Sequence, residues 1–354
     1  METIVAYGLK WMLLVGVTAA GAAFAQAQGA PQPAAPAVDE KRWVPPGTPD
    51  SPIDGEVFHA QVLLDVAGFS AGVIDGKQGT FFRRAVQGFQ ESRALEPTGE
   101  LDAPTRQALL RIGRNSTANL ALGPEVFEGP FVRPFPKNPE RQAELNFLGY
   151  RNQLEKLAEM FHTTPDTIVA LNGPDKLMRP GEVLKLPNVL PTSRSYGSNL
   201  KPEHAAWFNA MNVDANQPTG DHVVVDKSES LLKVMDSSGR LVAQFPVTTG
   251  SSQYPLPIGE WKVTTYAFLP PFNYQPDILV NPKTDKEVTL PPGPNGPVGI
   301  AWLDLTKEHY GIHGTNEPQT IGRAESSGCI RLTNWDVLRL ARIMKPGFKA
   351  VFQA

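Results

Sequence analysis

A single cysteine, Cys329, excludes any disulfide bond within this 354-residue chain, so its fold must form without covalent cross-links. The length is sufficient for two or three domains, and an apolar fraction of 41% is typical of a soluble globular protein. The formal net charge of -3 gives no indication of nucleic acid as a partner. A multidomain protein without disulfides is therefore expected.

The last third of the chain has the pattern of a β-rich domain. β-branched or alternating stretches occupy residues 222–226, 231–236, 240–247, 261–268 and 298–303. Asp236-Ser-Ser-Gly239 predicts a hairpin turn, and a helix is predicted from about Asn334 to Met344 with Thr333 and Asp336 at its start. These elements predict a mainly-β sandwich or barrel over residues 220–354.

Residues 51–112 show three stretches with apolar residues at helical spacing. The third stretch begins with Asp102 as N-cap and Pro104 inside the first turn. Three short helices with one apolar stripe each are expected to form a small bundle. Residues 113–141 are rich in Pro, Gly and Asn and are predicted to be a connector.

A second small unit is predicted over residues 142–190. It combines an amphipathic stretch at 154–162, a Thr-capped stretch at 163–172 and an alternating strand at 181–186. Residues 191–219 are again loop-like, with a short helix expected near His204 to Met211. Together with the other units, this gives a multidomain α+β chain.

The first 25 residues have the pattern of a secretory signal peptide. Lys10 precedes an apolar run from Trp11 through Phe24, and small residues follow as a cleavage site. The alternative is a retained transmembrane helix, but the run is short and rich in Ala and Gly. Residues 26–50 are predicted to be an extended Pro/Ala linker. We therefore expect export, a periplasmic or cell-wall location, and no membrane span after cleavage.

The lone cysteine lies sixteen positions after a histidine, His313. A thiol attacks as its thiolate, and an imidazole within hydrogen-bond reach is the usual means of generating one near neutral pH. Glycines at Gly314 and Gly328 allow sharp turns or close approach of a substrate beside both groups. The alternative is a small buried cysteine, although its Ser, Gly and Arg neighbours are not typical of a core.

This segment resembles the catalytic motif of the L,D-transpeptidases of the YkuD type. The matching residues are His313, Gly314, Ser326, Ser327, Gly328, Cys329, Ile330 and Arg331. Ser327 stands where the family often has histidine, which leaves the nucleophile unchanged and affects only the bracing of the loop. The resemblance extends upstream to roughly Asp221 and implies an enzyme acting on peptidoglycan.

Both preceding units also resemble wall-binding modules. Residues 51–112 are similar to the three-helix peptidoglycan-binding domain, and residues 142–190 look like a LysM module without its usual opening strand, where Leu148 to Gln153 stands instead. These resemblances imply glycan binding. The alternatives are a helical spacer and a purely structural remnant, because a fold carries no function by itself.

The resemblance implies a thioester mechanism in which Cys329 attacks the carbonyl of the third residue of a stem tetrapeptide and terminal D-Ala leaves. His313 would act as base and then as acid, and an amine would accept the acyl group. Loop or oxyanion support is expected from Gly328, Ser326, Ser327 and Gly314, with backbone N–H groups of Gly328 and Cys329 as oxyanion donors. Substrate contacts are expected from Arg331, Tyr310 and Trp302. The alternatives are a structural ion pair for Arg331 and packing in the core for the two aromatic residues.

Three alternatives to transpeptidation stay open at this point. Water as acceptor would make the protein a carboxypeptidase, and a silent catalytic module would make it a peptidoglycan-binding scaffold. A zinc site formed by His309, Asp304 and Cys329 lacks the paired-ligand spacing of such sites, so no metal or other cofactor is expected. Acylation of Cys329 by a carbapenem, which the resemblance implies, would distinguish the enzyme from the scaffold.

Overall fold

A computed structural model describes residues 51–354 apart from Asn199 and Glu325. The predicted signal peptide at 1–25 and the Pro/Ala linker at 26–50 lie outside the described residues. Among the helices that are described, none has the length and apolar character needed to cross a membrane.

The first unit contains the three predicted helices, α1 (Gly55–Val66), α2 (Thr80–Ser92) and α3 (Ala103–Leu110). Asp54 and Asp102 cap α1 and α3, because each carboxylate accepts hydrogen bonds from backbone N–H groups of the first turn. Apolar side chains such as Leu64 and Phe89 are fully buried between the helices. The prediction of a three-helix unit is confirmed.

The second unit begins earlier than predicted. Its elements are β1 (Thr117–Ala121), α4 (Pro139–Ala143), α5 (Gln153–Met160), α6 (Pro165–Asn172) and β2 (Val183–Pro187). β1 and β2 pair antiparallel, with Thr117 opposite Pro187. Strand β1 therefore lies inside residues 113–141, the segment that the sequence pattern predicted to be a connector. The two helices and the final strand agree with the sequence pattern.

The C-terminal part is built on one curved sheet of eight strands. A short helix precedes it, α7 (Pro202–Ala210), close to the range predicted for it. The strands of this part are β3 (His222–Asp226), β4 (Leu231–Met235), β5 (Leu241–Pro246), β6 (Gly259–Phe268), β7 (Phe272–Tyr274), β8 (Val288–Leu290), β9 (Ala301–Leu305), β10 (Gly311–His313), β11 (Ile330–Arg331) and β12 (Lys349–Gln353). The sheet order is β11-β10-β9-β6-β12-β3-β4-β5, and β7 and β8 form a separate hairpin.

The long strand β6 turns the sheet. Its first half pairs with β12 and its second half with β9, and the register shifts between Val263 and Tyr266. A bulge of this kind bends a strand and increases its twist. The predicted mainly-β domain is thus a curled sheet in which β6 connects the two halves.

Helix α8 (Asn334–Ile343) follows β11 and packs against β9 and β10. Thr333 Oγ1 accepts the Asp336 N–H at 3.1 Å, as the sequence predicted. Trp335 at its start is fully buried in the main apolar core. The helix therefore packs directly behind β10, one of the two strands at the candidate site.

A buried polar cluster joins the two N-terminal units to α8. Arg339 donates two hydrogen bonds to Asp65 of α1, at 2.9 and 2.6 Å. His162, which follows α5, lies 3.0 Å from the same carboxylate and stacks on Trp335 at 5.1 Å between ring centroids. Asp336 accepts the Ser70 hydroxyl at 2.8 Å. Residues from all three units are thus held in one network.

Candidate active site

The parallel pair β10 and β11 brings the histidine and the cysteine to one face of the sheet. Ile312 lies beside Ile330 and His313 beside Arg331. Ile312 and Ile330 are fully buried in the core. Side chains alternate between the two faces of a strand. The opposite face therefore carries His313 on β10 and, on either side of Ile330, Cys329 and Arg331. His313 and Cys329 both line the same cavity.

The imidazole of His313 is fixed in one tautomer. Its Nδ1 lies 2.7 Å from the carbonyl oxygen of Gly314. A carbonyl can only accept, so Nδ1 carries the proton and Nε2 is left with a lone pair. Trp302 stacks on the ring with 5.3 Å between centroids and 14° between planes. This arrangement prepares Nε2 to act as a base.

Cys329 is partly exposed at the cavity wall. Its Sγ lies 3.7 Å from the carbonyl oxygen of His309, to which the thiol donates. It also has a hydrogen bond with the backbone of Gly311. The cysteine is therefore a thiol at the border of solvent and not a core side chain.

Electrostatics keep both groups neutral in the free protein. Burial, together with the positive charge of Arg331, lowers the pKa of His313 to about 3. Burial raises the pKa of the Cys329 thiol, although the Gly311 backbone and Arg331 oppose this effect. At neutral pH the resting pair is therefore an imidazole and a thiol.

The loop before Cys329 is held by Ser326. The Ser326 hydroxyl donates to the Cys329 carbonyl at 2.6 Å and accepts the Gly328 N–H at 3.2 Å. Gly328 has φ of +108°, and a Cβ there would lie 2.7 Å from the Tyr310 ring. Glycine is therefore required at this position.

This geometry changes the expectation for the oxyanion donors. The Gly328 N–H was expected to serve beside that of Cys329, but it already donates to Ser326 Oγ. Gly328 and Ser326 thus act as loop support. Gly314 supports the site through its carbonyl, which orients His313.

Ser327 links the loop before Cys329 to a second segment, residues 270–290. This segment includes the β7–β8 hairpin and is called the flap. The Ser327 Oγ accepts the Val280 N–H at 2.9 Å. The flap is also bound to α4, because Glu140 accepts from Lys286 at 2.7 Å and from Thr284 at 2.8 Å. Ser327 therefore braces the loop before Cys329 from the flap side.

The cavity has a volume of about 610 Å³. The flap, the catalytic loop and Arg331 form much of its wall, and Lys137 and Gln142 contribute from the segment before α5. Lys137 and Gln142 were not predicted to lie at the site. Their approach depends on contacts between segments far apart in the chain, and no local pattern records such contacts.

The predicted aromatic contacts separate into two cases. Trp302 lines the cavity, where it stacks on His313. Tyr310 is not among the lining residues, and its ring packs over Gly328. Asp304 accepts hydrogen bonds from Trp302 and Thr264. Among the residues that the structure describes, no group of three or more His, Cys, Asp or Glu side chains is placed to hold a metal ion.

Replacing Arg331 with glutamine is expected to raise the pKa of the Cys329 thiol further, because Arg331 stabilises the thiolate. At a pH below that pKa, each unit of increase reduces the thiolate fraction about tenfold. Iodoacetamide alkylation, followed by mass spectrometry across pH 7 to 11, should therefore become slower and inflect at higher pH. Arg323→Gln, an exposed arginine of the same loop, is the control. Equal or faster alkylation of Arg331→Gln would contradict this assignment.

Comparison with known families identifies two domains. Residues 220–352 match the family model of the L,D-transpeptidase catalytic domain, YkuD. Residues 54–109 match a family described as "Putative peptidoglycan binding domain". The C-terminal part of the chain is thus a YkuD-type L,D-transpeptidase catalytic domain. It follows a peptidoglycan-binding domain of the second family.

Individual relatives cover parts of the chain. A protein of Bacillus licheniformis named "Putative L,D-transpeptidase YkuD" is 41% identical over 108 residues, 30% of this chain and 51% of the relative. Its namesake in Bacillus subtilis is 59% identical over 54 residues, 15% of this chain and 33% of the relative. The solved L,D-transpeptidase of Xylanimonas cellulosilytica is 14% identical with a TM-score of 0.35, covering 86% of this chain and 95% of that one. The matches thus span about half or less of the two curated relatives.

Proposed function

We propose that this protein is an exported L,D-transpeptidase that acts on peptidoglycan stem peptides through a thioester at Cys329. One observation carries the proposal: His313 and Cys329 share a face of two adjacent parallel strands and line one cavity of about 610 Å³. The YkuD-type match of the domain and the peptidoglycan-binding domain ahead of it support the choice of substrate.

In the acylation step, Nε2 of His313 takes the proton of the Cys329 thiol while Sγ attacks the carbonyl carbon of the third stem residue. A carbon–sulfur bond forms and the carbon–oxygen π electrons move to the oxygen. When the tetrahedral intermediate collapses, the peptide carbon–nitrogen bond breaks. The imidazolium then protonates the departing amine of D-Ala, and the acyl group stays on sulfur.

The low pKa of His313 suits the second half of this step. An imidazolium that is unstable in its pocket is a strong acid and transfers its proton readily to the leaving amine. The backbone N–H of Cys329 is the candidate donor to the oxyanion, because the N–H of Gly328 is held by Ser326 in the free protein. Arg331 borders the same cavity and offers a positive charge to a substrate carboxylate.

In the second half-reaction an amine attacks the thioester while His313 accepts its proton. An amide bond forms, the carbon–sulfur bond breaks, and the thiolate regains the proton. An amine of another stem peptide would give a 3-3 cross-link, and an amine of a protein would anchor that protein to the wall. Water in its place would release a tripeptide.

The two N-terminal units would hold the enzyme on its substrate. The first matches a peptidoglycan-binding family. The second has paired outer strands, β1 and β2, with the adjacent helices α5 and α6 before β2, which supports its assignment as a LysM-like glycan-binding unit. Export by the predicted signal peptide would place the protein in the periplasm or at the wall, where this polymer lies.

The proposal is tested by incubating the purified protein from Gln26 onward with disaccharide tetrapeptide and following the products by mass spectrometry. Release of D-Ala together with a cross-linked dimer supports transpeptidation, and release of D-Ala alone supports a carboxypeptidase. An unchanged tetrapeptide, together with no adduct on Cys329 after exposure to imipenem, a carbapenem, would overturn the enzyme assignment and favour the scaffold.

A further inference from the structure

A buried glutamate of the second unit, Glu159, is hydrogen-bonded to Asn334, which packs on the Gly314 backbone beside His313. Glu159, on α5, is only 5% exposed and belongs to none of the residues that line the cavity. Its carboxyl group contacts the Tyr150 hydroxyl at 3.1 Å and the Asn334 Nδ2 at 3.0 and 3.2 Å. The mechanism described above gives this group no role, although a buried acid without a function is costly.

Asn334 connects Glu159 to the backbone of Ile300 and Gly314. Its Oδ1 accepts the Ile300 N–H at 3.2 Å, and its Nδ2 also donates to the Pro294 carbonyl at 3.3 Å. A Cβ on Gly314 would lie 2.2 Å from this Oδ1, so the amide packs directly on the backbone there. The Gly314 carbonyl in turn accepts the Nδ1–H of His313 at 2.7 Å.

We propose that Glu159 is a positioning residue for the transpeptidase reaction: through Asn334 it holds the Gly314 backbone that orients the imidazole of His313. The inference rests on the proposed function, because it assigns His313 the role of base. It also means that the second unit is part of the catalytic apparatus and does more than present the enzyme to glycan. The catalytic geometry is then completed by a residue outside the YkuD match at 220–352.

The positioning does not depend on the charge of Glu159. Burial raises the pKa of this carboxyl group to about 8, so it is mostly neutral at pH 7. In the neutral acid one oxygen still accepts from Asn334, and the O–H can be donated to the Tyr150 oxygen. Glutamine can make the same two contacts, with its carbonyl toward Asn334 and its amide N–H toward Tyr150.

The test compares Glu159→Ala, Glu159→Gln and the unchanged protein in two reactions of the same sulfur. The rate of Cys329 acylation by imipenem at pH 7 requires His313 as base. The rate of iodoacetamide alkylation at pH 10 or above, where hydroxide removes the proton, does not. Ser70→Ala is the control for stability, because it removes a hydrogen bond to α8 at the same interface without contacting Asn334.

Glu159→Ala is expected to lower acylation about 10- to 100-fold, since a displacement of the order of 1 Å costs that much in a catalytic group. Its alkylation rate should stay near that of the unchanged protein, and Glu159→Gln should recover acylation. Unchanged acylation of Glu159→Ala, an equal loss of both reactions, or the same loss in Ser70→Ala would overturn the inference. Absence of acylation in the unchanged protein would instead reject the proposed function.

Discussion

Replacing Cys329 with alanine is expected to abolish the release of D-Ala from a disaccharide tetrapeptide. The thiol is the only one in the chain and the only group proposed to carry the acyl intermediate, so no second residue can replace it. His313→Gln should retain slow turnover, reduced by about 10²- to 10⁴-fold, because loss of a general base leaves the nucleophile in place. Both rates can be followed by mass spectrometry of the released products.

Two controls distinguish a loss of catalysis from a loss of the folded structure. The alanine variant should keep its melting temperature and its binding to insoluble peptidoglycan, because Cys329 lies at the cavity wall and not in the core. The His313→Gln variant should still be alkylated by iodoacetamide at high pH. If Cys329→Ala released D-Ala at the rate of the unchanged protein, the thioester mechanism would be wrong.

The sequence was most informative where the chemistry is local. His313 and Cys329 are recognisable because residue types, glycines and spacing all fall within one stretch of chain. The strands β3, β4 and β5 were equally readable, since each alternates over at least five residues and a hairpin turn joins the last two. Where the pattern lies within a single element, the sequence therefore predicts both the element and the residues it presents.

Elements that depend on distant partners were missed. Strand β12 pairs with β3 across more than a hundred positions of the chain, and β1 pairs with β2 from inside an apparent connector. Such pairing is decided by contacts that no window of sequence contains. The same holds for Lys137, which lines the cavity from the segment before α4, and α4 is bound to the flap through Glu140.

Buried polar residues on helices were hidden for a related reason. Glu159 lies in an amphipathic helix, where an acidic side chain normally faces water, and Asp65 lies near the end of a largely apolar helix. Their burial results from packing of one unit against another, and their partners Asn334 and Arg339 lie in the last helix. The sequence predicts each helix but not which of its polar side chains will be enclosed.

Replacing Asp65 with leucine is expected to destabilise the protein by about 3–5 kcal/mol, because it leaves the buried Arg339 without its main counter-charge. Asp336, at 3.3 Å from Arg339, is a weaker partner. The free energy of unfolding in urea, measured at pH 7, reports this loss. The double variant Asp65→Leu with Arg339→Met should recover only part of it, since the unpaired arginine is removed but the buried Asp336 loses its counter-charge.

The difference in unfolding free energy between the unchanged protein and Asp65→Leu should decrease as the pH falls. Burial alone would raise the pKa of Asp65, but Arg339 and His162 outweigh it and hold that pKa well below its usual range. The carboxylate therefore contributes stability above its unfolded pKa of about 3.9, and this contribution is lost as the pH falls toward the folded value. The gap in unfolding free energy between the unchanged protein and Asp65→Leu should be largest at neutral pH and should shrink below about pH 4. A gap that is constant between pH 7 and pH 3 would show that Asp65 stabilises the interface by packing and not by charge.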